Sequence, residues 1–228
     1  MATYVLLHGA GSDSWYWHRV APLLRERGHE VVAPDLPCDD DGAGIDDYAK
    51  AAVDAIGDRT NVILVAQSMA GFTVPLVCEA VPVDLAVLVA AMTPREGESP
   101  GEWWENTGHA EAKRQQAERD GRPDDFDPIA LFLHDVPPDV AAESANHVRQ
   151  QSGTPFSEPR PMPAWPDVPT RFVLGRDDRF FPADFQRRVA KERLWLTPDE
   201  IDSGHLPALS RPQELVERLE SYRSAAGL

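Results

Sequence analysis

One short run of sequence constrains the fold of this 228-residue chain more than any other. Residues 62–67, Val-Ile-Leu-Val-Ala-Gln, are mostly apolar, lead directly into Ser68, and are followed by a helical pattern that begins at Met69. A buried strand that ends at a serine and turns at once into a helix is typical of a nucleophile elbow, which lifts the serine hydroxyl clear of the sheet. The turn requires small residues two positions before and two after the serine, here Ala66 and Ala70. The usual motif has glycine at both positions, so this pattern is a variant.

A serine nucleophile needs a histidine as its base and a carboxylate that fixes the histidine tautomer. On the fold that carries such an elbow, the acid and then the histidine follow the serine along the chain, at the ends of later strands. The predicted strand 170–174 is followed by the adjacent acids Asp177 and Asp178, and His205 stands behind a glycine just before the last predicted helix. The sequence therefore predicts a Ser-Asp-His set built on Ser68, one of the two acids, and His205.

A glycine-rich loop follows the first predicted strand, residues 3–7, and reads His8-Gly9-Ala10-Gly11. Backbone N–H groups of such a loop can face the oxyanion that develops on a carbonyl under attack. We expect the two donors to be the N–H groups of Ala10 and of Met69, the residue after the serine.

With the glycine-rich loop, the serine elbow, the acid and the histidine in this order, the chain resembles the α/β-hydrolase family over nearly its whole length. The stretches that resemble the plant methylesterase and hydroxynitrile lyase branch and its bacterial relatives are His8-Gly9-Ala10, Trp15-Tyr16-Trp17, Phe180-Phe181-Pro182 and Phe185-Gln186. The resemblance implies a carboxylate three residues after the glycine that ends the strand and four before a proline. Counting from Gly175 and from Pro182 selects Asp178 over Asp177 as the acid. It also implies that His8 orients the oxyanion loop and takes no part in proton transfer.

Strands and helices alternate in the sequence on both sides of a proline-rich middle, since 12 of the 21 prolines lie between residues 94 and 169. This alternation predicts an α/β fold with a mostly parallel sheet covered by helices on both faces. We expect one domain, with a hydrolase core formed by residues 1–93 and 168–228 and a helical cap inserted over residues 94–167. The predicted strands are 3–7, 29–33, 61–66, 84–91, 170–174 and 199–202. The predicted helices are 15–27, 45–57, 69–80, 103–120, 127–134, 137–151, 183–193 and 212–223.

These residues predict a serine hydrolase that cleaves a small carboxylic ester through an acyl-enzyme, with no metal or other cofactor. Two alternatives remain on the same fold: a small-molecule receptor that does not turn its ligand over, and a lyase or carbon–carbon bond cleaving enzyme. The plant lyases depend on a lysine after the catalytic histidine and a threonine after the loop histidine, and here those positions are Leu206 and Gly9. The lyase alternative is accordingly the weaker one.

Charge and hydropathy bear on the partners of the chain. The net charge of −16 argues against nucleic acid and anionic membranes, because both attract a basic surface. No apolar stretch is as long as a membrane span, and the first residues enter a strand without the pattern of a signal peptide. We therefore expect a cytoplasmic protein whose partner is a small-molecule ester.

Overall fold

A parallel sheet of six strands forms the centre of the molecule. The structure, a computed structural model, describes residues 1–228. The strands are β1 Thr3–Leu7, β2 Glu30–Val32, β3 Val62–Gln67, β4 Leu85–Val89, β5 Thr170–Gly175 and β6 Asp199–Ile201. They lie in the order β2-β1-β3-β4-β5-β6, and every neighbouring pair is parallel. The predicted α/β class and parallel sheet are confirmed.

Helices cover both faces of this sheet. The α-helices are α1 Ala21–Glu26, α2 Ile45–Ile56, α3 Thr73–Ala80, α4 Trp103–Thr107, α5 His109–Arg119, α6 Pro138–Ser144, α7 Thr154–Ser157, α8 Ala183–Leu194, α9 Pro207–Ser210 and α10 Pro212–Ala225. The longest of them, α10, has 14 residues, and none is both long enough and apolar enough to cross a bilayer.

Two apolar cores lie on opposite faces of the sheet, because successive side chains of a strand point to opposite sides. In β1, Val5 and Leu7 contribute to one core, where α2, α3 and α8 pack, while Tyr4 and Leu6 contribute to the other, where α1 and α10 pack. Every residue of β1, β3 and β4 is buried. Burial on both faces explains why these strands are continuous apolar runs in the sequence.

Several predicted elements are interrupted in the structure. The predicted helix 15–27 is a 3-10 turn at Ser14–Trp17, begun by the Asp13 side chain that accepts the Trp15 N–H, and then α1. The predicted strand 84–91 ends at Val89, because Ala90 has a φ of 45° and leaves the extended conformation. Pro22, in the first turn of α1, is a local signal for the first break, because proline favours the start of a helix over its interior.

Residues 94–167, between β4 and β5, contain α4 to α7 and no strand, and we call them the cap segment. The helix predicted over 103–120 is divided at Gly108, whose φ of 64° ends α4 and precedes α5. The helix predicted over 127–134 is a single π-helical turn, Ile129–Leu133. In place of the helix predicted over 137–151, the structure has α6 followed by a 3-10 turn, Ala145–His147. The chain after His147 instead packs on the core.

A buried ion pair fastens the start of the cap segment to α8. The side chains of Arg193 and Glu98 are 2% and 4% exposed. The guanidinium donates two hydrogen bonds to the carboxylate, with nitrogen–oxygen distances of 2.5 and 2.9 Å. Arg193 also donates to the Thr93 carbonyl oxygen at 2.6 Å, and Asn106 donates to Glu98 at 2.9 Å. Because both charges are removed from water, each depends on the other to offset its desolvation.

Breaking this pair is expected to destabilise the fold. Glu98→Gln leaves a buried guanidinium without its counter-charge, so the free energy of unfolding should fall by about 3–5 kcal/mol, measured by urea denaturation at pH 7. The control is Glu111→Gln, which breaks the exposed pair of Glu111 with Arg114 and should leave the urea midpoint close to that of the wild type. Equal effects at the two glutamates would contradict this account of the buried pair.

Candidate active site

Ser68 occupies a strained turn between β3 and the helical segment that follows. It has a φ of 52°, in the left-handed region that residues with a side chain seldom adopt, and it begins the 3-10 turn Ser68–Phe72. Gly71 lies three residues further on, where an added Cβ would stand 1.9 Å from the Met92 carbonyl oxygen. The Met92 N–H in turn donates to the Ser68 carbonyl oxygen at 2.9 Å. A backbone carbonyl therefore occupies the place of a side chain at residue 71, which requires glycine there, while Ala66 and Ala70 stand at the two usual glycine positions of the elbow.

His205 connects Ser68 to Asp178 through its two ring nitrogens. Its Nε2 lies 3.0 Å from the Ser68 Oγ, and its Nδ1 lies 2.7 Å from the Asp178 Oδ2. The carboxylate can only accept, so Nδ1 carries the proton and Nε2 offers its lone pair to the serine hydroxyl. The structure thus brings three of the predicted site residues into one hydrogen-bonded chain, oriented so that Nε2 can remove the serine proton.

The Asp178 carboxylate is buried and held on both oxygens. Its Oδ1 accepts the N–H groups of Phe180 and Phe181 at 2.9 and 2.8 Å, and its Oδ2 accepts the Gln186 Nε2–H at 3.1 Å besides the histidine. The neighbouring Asp177 is exposed and makes no contact with the histidine. Asp178, which the family spacing selects over Asp177, is the acid that lies against the imidazole.

Aromatic rings enclose the imidazole of His205. Phe180 and Phe181 meet it edge to face at centroid distances of 5.3 and 5.0 Å, and Phe132 of the cap segment lies at 5.5 Å. His109 of α5 hydrogen-bonds through its Nε2 to the Phe180 carbonyl oxygen at 2.8 Å, and burial lowers the pKa of His109, which keeps it a neutral donor. These contacts fix the ring and restrict the water that reaches it.

A cavity of about 520 Å³ opens over Ser68, between the core and the cap segment. Its walls are mainly apolar, and aromatic side chains come from both parts of the chain. The aromatic and thioether side chains that line it are Trp15, Tyr16, Met69, Met92, Trp104, Phe126, Phe132, Phe156 and Phe180. The cavity is therefore suited to a small molecule with a large apolar group.

Ala10 and Met69, the predicted oxyanion donors, both line this cavity. No protein group accepts the Ala10 N–H. His8 hydrogen-bonds through Nδ1 to the Gly9 carbonyl oxygen at 2.8 Å, while its Nε2 accepts the Leu36 N–H at 2.9 Å. Burial lowers the pKa of His8, which keeps it neutral with the proton on Nδ1. Since the Gly9 carbonyl and the Ala10 N–H belong to one peptide plane, His8 orients that N–H.

Sequence reasoning missed three side chains that support the site. Gln67 donates to the His205 carbonyl oxygen at 3.3 Å, and the carboxylate of Asp135 accepts the Gly204 N–H at 2.7 Å. Gln186, the third, donates to the acid as described above. Gln67 stands directly before the serine in the sequence, and Gln186 follows Asp178 by 8 residues, so closeness along the chain was the available signal. Asp135 is 69 residues from its partner and gives no such signal.

Residues 4–218 match the alpha/beta hydrolase family. The chain is an α/β-hydrolase. This membership confirms the resemblance inferred from the elbow, the oxyanion loop and the order of acid and histidine.

Relatives of this α/β-hydrolase include proteins named as esterases and hydrolases in bacteria and plants. It is 26% identical to the pyrethroid hydrolase of Sphingobium wenxiniae, over 97% of this chain and 87% of that protein. It is 28% identical to methylesterase 7 of Arabidopsis thaliana, over 93% of this chain and 92% of that one. A solved methylesterase structure from Arabidopsis superposes with a TM-score of 0.78 at 20% identity and covers 100% of both chains. The predicted similarity to the methylesterase branch is confirmed.

Proposed function

We propose that this α/β-hydrolase is a serine esterase that cleaves a small carboxylic ester through an acyl-enzyme, with Ser68 as nucleophile, His205 as base and Asp178 as the acid. The observation that carries the proposal is the continuous hydrogen-bonded chain from the Ser68 Oγ through both nitrogens of His205 to the Asp178 carboxylate. Ester hydrolysis is also the activity that the names of the methylesterases among its relatives describe.

In the first half of the reaction, the Ser68 Oγ attacks the ester carbonyl carbon while His205 Nε2 takes the hydroxyl proton. The carbonyl oxygen becomes an oxyanion, which the N–H groups of Ala10 and Met69 stabilise. The carbon–oxygen bond to the alcohol then breaks, and His205 returns the proton to the departing alkoxide. Asp178 stays ionised throughout and stabilises the imidazolium.

In the second half, a water molecule takes the place of the alcohol and loses a proton to His205 as it attacks the acyl-enzyme. The Ser68 oxygen then leaves with that proton, and a carboxylic acid is released. Every proton moves between the serine, the histidine, water and the alcohol, so the sequence of steps needs no metal or organic cofactor.

The apolar walls of the cavity favour an uncharged ester with a bulky apolar group on its acyl or alcohol side. Leu206 lines the cavity directly after the histidine, at the position where the plant lyases have a lysine. An apolar side chain there offers no cation to a departing cyanide, which favours hydrolysis over cyanohydrin cleavage.

A panel of p-nitrophenyl esters with acyl chains from acetate to decanoate, assayed beside mandelonitrile, tests this function. We expect hydrolysis of at least one ester with kcat/KM at least about 10³-fold above that of Ser68→Ala, and no cyanide release from mandelonitrile. Tight binding of an apolar ligand without turnover of any ester would instead indicate a receptor. Cyanide release that depends on His205 would indicate a lyase.

A further inference from the structure

The cap segment holds the outer side of the oxyanion loop through one residue, Gly11. The Gly11 N–H donates to the side-chain Oε1 of Gln151 at 3.0 Å, and the Gly11 carbonyl oxygen accepts the Arg149 N–H, also at 3.0 Å. Gly11 has a φ of 63°, and a Cβ there would approach the Arg149 carbonyl oxygen to 3.3 Å. Both backbone groups of this loop residue are thus bound by a part of the chain about 140 residues away.

These contacts fix Ala10 from both sides. On one side, His8 holds the Gly9 carbonyl, which shares a peptide plane with the Ala10 N–H. On the other side, Gln151 holds the Gly11 N–H, which shares a peptide plane with the Ala10 carbonyl. With both neighbouring planes anchored, the backbone angles of Ala10 are set, and with them the direction in which its N–H points. The Gly11 N–H is turned towards the cap segment and is not available to an oxyanion.

The amide of Gln151 is itself held in one orientation. Its Nε2 donates to the Ser152 carbonyl oxygen at 2.9 Å and to the Tyr48 hydroxyl at 3.0 Å. A carbonyl oxygen can only accept, so the NH₂ group must face Ser152, and the Oε1 must face Gly11. Tyr48 lies in α2 and is 2% exposed, and the Ser152 N–H is bound by the Cys38 carbonyl oxygen at 2.7 Å. Gln151 therefore acts as a rigid link from the core, through the cap segment, to the oxyanion loop.

We propose that Gln151 is a positioning residue for the oxyanion hole, acting through Gly11 on the direction of the Ala10 N–H. The cap segment then does more than cover the cavity, because the oxyanion donor is aligned only when the stretch containing Gln151 is seated on the core. This inference rests on the proposed esterase function, since the oxyanion forms during ester cleavage.

The test measures kcat and KM of Gln151→Met on an ester that the wild type hydrolyses. Methionine has a similar volume, and its thioether is at most a weak acceptor for the Gly11 N–H. We therefore expect kcat to fall about ten-fold or more while KM stays within about two-fold, because the oxyanion exists only in the transition state. Affinity for an aryl boronic acid, which becomes tetrahedral on Ser68, should fall in parallel with kcat.

Tyr48→Phe gives a second arm that does not alter Gln151 itself. It removes one of the two acceptors that orient the amide, so we expect a smaller loss of kcat, about two- to three-fold, at unchanged KM. If Gln151→Met is too unstable to assay, this variant still tests the link.

The outcomes separate this role from the function on which it rests. A folded Gln151→Met with wild-type kcat, or a loss confined to KM, would overturn the positioning role while leaving the esterase proposal intact. A wild type that hydrolyses no ester would remove the proposed function, and the positioning role with it.

Discussion

His205→Gln is expected to lower kcat for ester hydrolysis about a million-fold, the largest effect of any single substitution in this chain apart from loss of the serine. Glutamine is near in size to histidine but has no basic nitrogen, so the Ser68 hydroxyl would keep its proton during attack. The imidazole lies 3.0 Å from the Ser68 Oγ, and no other base contacts that oxygen. Steady-state kinetics with an enzyme concentration high enough to detect the residual rate measure the effect.

A second histidine in the same cavity provides the matched control. His147 also pairs with a carboxylate, its Nδ1 lying 3.0 Å from the Asp13 Oδ2, but it stacks on Trp15 and does not reach the serine. His147→Gln should therefore leave kcat within about ten-fold of wild type. Comparable losses for the two histidine variants would show that the assay reports damage to the cavity and would contradict the role of His205 as base.

Asp178→Asn is expected to lower kcat about ten-thousand-fold at pH 7, because it changes the tautomer of His205. The Asp178 Oδ1 accepts two backbone N–H groups, from Phe180 and Phe181, so the single oxygen of an asparagine must stay at that position. The new NH₂ group would then face His205 Nδ1 and would drive the ring proton to Nε2. A protonated Nε2 cannot accept from Ser68, and the nucleophile loses its base.

The adjacent acid supplies the control for this substitution. Asp177 is exposed, carries the same charge and lies one residue away, so Asp177→Asn should change kcat by less than about three-fold. A larger loss at Asp177 than at Asp178 would show that the acid had been assigned to the wrong residue. Circular dichroism of both variants verifies that the fold is retained.

The sequence predicted the sheet and the elbow well, for physical reasons that can be named. Strands such as β3 are buried on both faces, so they are unbroken apolar runs that stand out from the flanking loops. The sequence singles out Ser68 because its strand ends at it, and singles out Asp178 because Gly175 and Pro182 bracket it at a spacing typical of the family.

The cap segment and the supports of the site were predicted less well. The helix predicted over 103–120 is divided by the left-handed backbone of Gly108, a break that helical periodicity cannot show. The partner of Gln151 is Gly11, 140 residues away, and the partner of Arg193 is Glu98, 95 residues away. Contacts of this kind depend on how distant segments pack, and no local pattern of residues indicates them.

The central claim of this account is that Ser68 is an activated nucleophile. Intact-mass spectrometry after treatment with a fluorophosphonate, followed by mapping of the modified peptide, tests that claim without knowledge of the natural substrate. We predict one adduct per chain, located on Ser68, and no adduct in Ser68→Ala. An unmodified wild type, or an adduct on any other residue, would contradict the account.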